Sequence, residues 1–100
     1  MKIKFTPKAI EDLEEIKDYI SKDSKANALN YITKVLNKID NLASNPDLGL
    51  SLERKLEIST NYKMLVCESH LAFYKVEDNV VKIYRILHSK RNYISVLGIR

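Results

Sequence analysis

Along the chain the hydrophobic positions pass from the two-residue repeat of strands to the helical repeat and back again. Ile3 and Phe5 flank Lys4 in a short alternating segment. Thr6 then stands as an N-cap before Pro7 at the first helical position, where a missing backbone N–H costs nothing. Ala9, Leu13, Ile16 and Ile20, with Ile10 beside them, recur at helical spacing and predict a first helix from Pro7 to about Lys22. Asp23 or Ser24 caps a second helix, whose apolar face carries Leu29, Ile32, Val35, Leu36, Ile39, Leu42 and Ala43 and which Asn45-Pro46 ends. The short turn between the two helices makes them an antiparallel hairpin.

Pro46 to Leu56 shows no period and reads as a connecting loop whose end leads into a strand. Beyond it, Tyr62, Met64 and Val66 alternate with Lys63 and Leu65, and Leu71 to Val76 is apolar and aromatic. Val80 to His88 follows the turn residues Glu77-Asp78-Asn79. Strict alternation on this last strand sets Val81, Ile83, Arg85 and Leu87 on one face and Lys82, Tyr84, Ile86 and His88 on the other. Lys90 to Val96 carries a weaker helical pattern. The expected fold is α+β in the order β-α-α-β-β-β, an antiparallel sheet with the helical hairpin on one face and a short C-terminal helix.

One hundred residues hold one domain, 1–100, because two cores of half that size would each be near the limit of independent stability. A hydrophobic content of 45 %, with two glycines and two prolines, excludes disordered and collagen-like chains. The N-terminus lacks the apolar block of a signal peptide and no apolar run approaches a membrane span, so a cytoplasmic protein without membrane contact is expected. The net charge of +4 is unevenly placed: residues 1–50 carry eight lysines against eight acids, and residues 51–100 nine basic residues against five acids. No acid follows Asp78, whereas Lys82, Arg85, Lys90, Arg91 and Arg100 do. That end carries a local positive field suited to an acidic or polyanionic partner, unless the charge serves solubility alone.

Gly49 and Gly98 are the only glycines, which excludes a phosphate-cradling P-loop and a dinucleotide-binding turn. Cys67 stands alone and reads as a small buried residue, and His70 and His88 are distant in sequence, so neither metal nor cofactor is expected. Glu11, Asp12, Glu14, Glu15 and Asp18 read as a solvated helix face favoured by the helix dipole. The run that carries chemistry is His88-Ser89-Lys90-Arg91-Asn92-Tyr93, which joins a group titrating near neutral pH, two phosphate-seeking cations and a ring able to stack on a base. Metal-free RNA cleavage needs such a set: a base for the 2′-hydroxyl, cations for the phosphate charge and an acid for the leaving oxygen. Lys63 and Glu68 can join it from neighbouring strands. On spacing alone, the run serves equally as a docking site for an acidic peptide.

Three stretches carry a resemblance that covers essentially the whole chain: Phe5-Thr6-Pro7-Lys8-Ala9 with Asp12-Leu13-Glu14-Glu15-Ile16 and Tyr19-Ile20; Leu42-x-x-Asn45-Pro46-x-x-Gly49; and His70-Leu71-Ala72-Phe73-Tyr74-Lys75-Val76 with Ile83-x-Arg85-Ile86-Leu87-His88-x-Lys90-Arg91-Asn92-Tyr93. Together they resemble the RelE/ParE superfamily of bacterial toxins from type II toxin-antitoxin modules, which include plasmid-stabilisation systems. The resemblance implies a growth-inhibiting toxin silenced by a cognate antitoxin in a hetero-oligomer. It implies one of two targets, ribosome-bound mRNA cleaved without a metal (RelE-like) or DNA gyrase (ParE-like). In the first case His88, Lys90, Arg91, Tyr93 and Lys63 are the catalytic candidates; in either case Arg85, His88, Lys90, Arg91 and Tyr93 would meet target or antitoxin. Lys63 and Lys90 fall on basic positions of the RelE branch, but Leu65 and Leu71 occupy two others, and Val96 stands where its terminal tyrosine would be, one helical turn beyond Tyr93. Apolar residues cannot stabilise developing phosphate charge, and the His-x-x-Phe-Tyr and Arg-Ile-Leu-His stretches are closer to the ParE branch. The expectation is therefore a gyrase-directed toxin, with an mRNA endoribonuclease as the alternative and a non-toxic binding module as a third class.

Overall fold

A computed structural model describes residues 1–99; Arg100, counted above in the basic C-terminal end, lies outside the described residues. Strand β1 (Lys2–Phe5) leads into helix α1 (Pro7–Ser21), whose first turn is capped by the Thr6 hydroxyl accepting the Ala9 N–H. Ser24 caps helix α2 (Lys25–Asp40) in the same way through the Asn27 N–H. A single 3-10 turn, Asn41–Ala43, then carries Leu42 into the core. The segment expected to be a loop is instead structured: β2 (Leu50–Ser51) runs directly into helix α3 (Leu52–Leu56), capped by Ser51. Two strand residues and five helical ones are too few to imprint a repeat on the sequence, which is why the segment showed none.

Strands β3 (Lys63–Cys67), β4 (His70–Glu77) and β5 (Val80–His88) form the expected meander. Asp78 and Asn79 close its second hairpin with φ of 51° and 61°, the left-handed pair that a two-residue turn requires and that Asp and Asn tolerate best among residues with side chains. Helix α4 (Tyr93–Leu97) starts under an Asn92 cap and stops at Gly98, φ 66°, where only glycine is unstrained. The sheet order is β1-β5-β4-β3-β2. Pairing is antiparallel throughout, except that β1 runs parallel to β5, and α1 and α2 make the crossover this demands.

Each face of the sheet has its own core. The hairpin brings Ala9, Val35, Ile39 and Leu42 onto Leu65, Ala72, Tyr74 and Ile83. On the opposite face Leu52, Met64, Leu71, Phe73 and Leu87 are buried, with Leu56, Tyr93, Val96 and Leu97 packed over them from α3 and α4. The alternation expected along β5 fails at one place. Phe73 pairs with Arg85 but Tyr74 with Ile83, so Tyr84 is an extra residue in β5. Before it, Val81 and Ile83 face the hairpin as expected; after it the parity reverses, so that Ile86 faces the hairpin and Leu87 the opposite core.

The bulge coincides with the end of β1. Thr6 still reaches β5, its N–H donating to the Ile83 carbonyl and its hydroxyl to that of Tyr84, after which β5 has no strand on that edge. Asp12 of α1 fills the vacancy. It is not on a solvated face as its acidic neighbours suggested, but only 5 % exposed. Its carboxylate accepts the Ile86 N–H at 2.9 Å and two guanidinium bonds from Arg85, Nε at 2.8 Å and Nη2 at 3.0 Å. A second fixture holds the other edge. The buried Tyr74 hydroxyl donates to the Pro46 carbonyl and accepts the Gly49 N–H, so close that a Cβ at Gly49 would stand 2.4 Å from the Tyr74 oxygen.

Two stability measurements follow from these contacts. Asp12→Ala strands a buried guanidinium and a strand N–H at once and should lose about 3–5 kcal/mol in urea unfolding. Gly49→Ala forces the loop off Tyr74 and should lose about 1–3 kcal/mol in the same assay, the cost of overpacking.

Candidate functional site

The two histidines that are distant in sequence are neighbours in space. A bulge-free hairpin closed at Asp78-Asn79 would set His70 opposite Leu87; the extra residue sets it opposite His88. The rings lie 5.2 Å apart, edge to face, at the end of the sheet and on the side of the hairpin. They line a groove of about 430 Å³ whose other walls include Ile16 and Ile20 of α1, Tyr31 of α2, and Arg91. The sequence sets His70 and His88 far apart, and only the bulge shows that they belong together.

Hydrogen bonds hold both rings in place. The Ser69 N–H donates to the Tyr31 hydroxyl, which is also hydrogen-bonded to His70 Nδ1. His88 Nδ1 accepts the Lys90 N–H at 3.1 Å. That bond places the proton of a neutral His88 ring on Nε2, which then faces outward as a donor. Burial holds His70 below its ordinary value of 6.5, and the neighbouring His88 adds to the effect. Burial likewise pushes the Tyr31 hydroxyl up.

The remaining candidates are dispersed. Arg91 lines the groove and Lys90 is exposed beside it. Tyr93 sits across the sheet, its ring 4.9 Å from that of Phe73 in the opposite core. Arg85, expected on the partner surface, is spent on Asp12 with a side chain 15 % exposed. Lys63 is in register with Tyr74, four positions along β3 from the rung that holds the histidines, and its amine lies 3.7 Å from Asp47. Leu65 and Leu71 point to opposite cores, so the two positions do not share a surface. Cys67 is fully buried, which pushes its thiol up to about 11, and its role is packing. Glu68 makes a surface ion pair with Lys38.

A second polar patch lies at the far end of the opposite face. Lys75 Nζ stands 4.3 Å from the Tyr62 ring centre and 5.0 Å from that of Tyr84, and Lys82 Nζ 5.4 Å from the latter. The Tyr84 hydroxyl donates to Glu77 at 2.6 Å, which pushes it up to about 12. These cations are held by rings and stand beside a carboxylate. Among the described residues, no three His, Cys, Asp or Glu side chains gather to hold a metal ion, and no helix is long and apolar enough to cross a membrane.

A five-stranded sheet with a helical hairpin across one face is the architecture of the RelE/ParE-like toxins. It matches a structure of the chromosomal ParDE TA system from P. aeruginosa, with a TM-score of 0.74 and 23 % identity over 88 % of this chain and 95 % of that one. It also matches the YoeB-YefM complex from Staphylococcus aureus, with a TM-score of 0.56 and 24 % identity over the same shares. Toxin RelE2 of Caulobacter vibrioides is 31 % identical over 87 residues, 87 % of this chain and 93 % of the relative. The chain belongs to the family described as the ParE toxin of the type II toxin-antitoxin system, parDE, whose model matches residues 3–93.

The state of His70 has a pH signature. Its folded pKa lies below the unfolded one, so the unfolded chain takes up the proton first. The stability contributed by neutral His70 is complete above its ordinary value and is lost as pH falls through the lowered folded value. Urea midpoints should therefore drop as pH falls from about 7 to below the ordinary value of 6.5, and His70→Gln should flatten that slope. An unchanged slope in the variant would assign the dependence to other groups.

Proposed function

We propose that this type II toxin arrests growth by acting on DNA gyrase in the cytoplasm and is held inactive there by a cognate antitoxin, as a toxin-antitoxin hetero-oligomer. The observation that carries the reading is the apolar core on the sheet face away from the hairpin. Leu71 stands where the RelE-like reading requires an arginine, it is 7 % exposed, and α3 and α4 pack their own apolar side chains over its cluster. Leu65, the second such position, is buried against the hairpin. Removing one donor to a developing oxyanion costs about 10²–10³ in rate, and two such losses leave little of the advantage of a nuclease.

The histidine pair does not restore that chemistry. The Nδ1 of His88, the ring that the nuclease reading enlists, already accepts the Lys90 N–H, so it is not the free base that a 2′-hydroxyl proton needs. Lys63 and Tyr93, which the nuclease reading enlists with His88, Lys90 and Arg91, are on other parts of the sheet. The match to the ParE family model points the same way.

Purified protein should inhibit gyrase supercoiling or leave cleaved DNA complexes in a plasmid assay. New mRNA ends in toeprints of stalled ribosomes, with gyrase unaffected, would transfer the function to the endoribonuclease reading. Unaltered growth on expression without a partner would reduce the chain to a binding module.

A further inference from the structure

We propose that the far end of the sheet face opposite the hairpin binds the phosphate chain of a nucleotide, with Lys4, Lys82 and Lys75 on the phosphates and Tyr62 and Tyr84 beside the base. The site lies apart from the histidine groove, and the inference holds whichever target the toxin has.

The lysines form one rung. Lys4 of β1 is in register with Lys82 of β5, and Lys82 with Lys75 of β4. Residues directly opposite in a sheet share a face, so three ammonium groups stand side by side on three adjacent strands. Among the described residues none of the three makes an ion pair. Like charges directly opposite one another destabilise a sheet. The rung therefore weakens the fold unless an anion from outside joins it.

The rings complete the site. Lys75 Nζ lies over Tyr62 at 4.3 Å and Tyr84 at 5.0 Å, Lys82 Nζ lies over Tyr84 at 5.4 Å, and the two rings meet edge to face at 5.5 Å. A lysine gains less from an exposed ring than from a hydrogen bond to a phosphate oxygen. A phosphate chain thus draws the ammonium groups off the rings and leaves ring faces on which a base can stack. Tyr84 is fixed for this by its hydroxyl bond to Glu77 at 2.6 Å. Beside it, Lys4, Lys82 and Val80 line a cleft of about 380 Å³, the size of a small-molecule site.

Size and charge favour a nucleotide over a longer polyanion. Neighbouring strands stand about 4.8 Å apart, so the three lysines span about 10 Å, a length that two or three linked phosphates cover. The row ends at β1, the outermost strand, and at Tyr62. Glu77 and Asp78 border it at the hairpin turn and would repel a strand that ran past them. Lys2, exposed and two residues from Lys4 on β1, sets four lysines against those two acids, an excess suited to a short phosphate chain.

The test titrates the full-length protein at low salt with adenosine triphosphate, inorganic triphosphate, adenosine and an oligothymidylate, by calorimetry and by tyrosine fluorescence, which no tryptophan obscures. Adenosine triphosphate should bind about tenfold tighter than adenosine and about threefold tighter than inorganic triphosphate, with a change in tyrosine emission. Lys82→Gln alters an exposed residue and relieves like-charge contacts, so the fold survives while affinity falls about tenfold. Tyr62→Leu should bring the nucleotide and inorganic triphosphate to the same affinity. Lys17→Gln, the same change of charge on α1, should leave binding unaltered. Three results would each sink the proposal: adenosine binding as tightly as its triphosphate, Lys17→Gln weakening binding as much as Lys82→Gln, or inorganic triphosphate matching the nucleotide on the unaltered protein. An oligothymidylate that binds tighter than the nucleotide and loses its affinity in Lys82→Gln would assign the row to a nucleic-acid strand and overturn it equally.

Discussion

At the end of β1 a carboxylate takes the place of a strand, and much of the structure follows from that substitution. Beyond Phe5, β5 would expose its N–H groups on a bare edge, the kind of template that invites wrong pairing. Asp12 accepts the Ile86 N–H there and draws Arg85 over the edge into two further bonds. The contribution is one of position more than of net energy, because a buried ion pair repays little beyond the desolvation of its partners. It locks the register between α1 and β5, with Ile16 and Ile20 above His88 as one wall of the groove. It also withdraws from the surface an arginine that the sequence offers as a contact residue.

The bulge at Tyr84 is the second constraint, and it decides which residues meet. One extra residue reverses the parity of the strand end, bringing Ile86 into the hairpin core and His88 opposite His70. The same shift separates the run His88 to Tyr93: its beginning lines a groove beside the hairpin, while its end stacks on Phe73 beneath α4. A string of residues that reads as one chemical constellation is thus divided between two faces of a sheet.

How far the sequence could be read depended on how long each pattern ran. The hairpin and three strands were legible because their repeats persist and caps such as Thr6 and Ser24 mark where they start. The pair β2 and α3 was not, being shorter than any period it could show. Asp12 reads as solvated among its acidic neighbours, although its spacing from Ala9 and Ile16 sets it on the buried stripe. That position was the available signal: a lone carboxylate on an apolar stripe needs a cation, and Arg85 answers it. The histidine pair had no such signal, since a bulge is a departure from regular spacing.

The division of the terminal run bears on what a toxin of this architecture can do. Catalysis by strand cations requires several of them to converge on one phosphate, and convergence needs a bare polar surface. Here the strand face that holds Leu71 is closed by α3 and α4, and the cations at its far end stand over tyrosine rings. What remains open is a groove in which the two histidine rings and Arg91 are set beside the apolar side chains of α1. On the proposed reading such a surface recognises another protein, because cations dispersed over two faces of a sheet do not converge on one reacting phosphate.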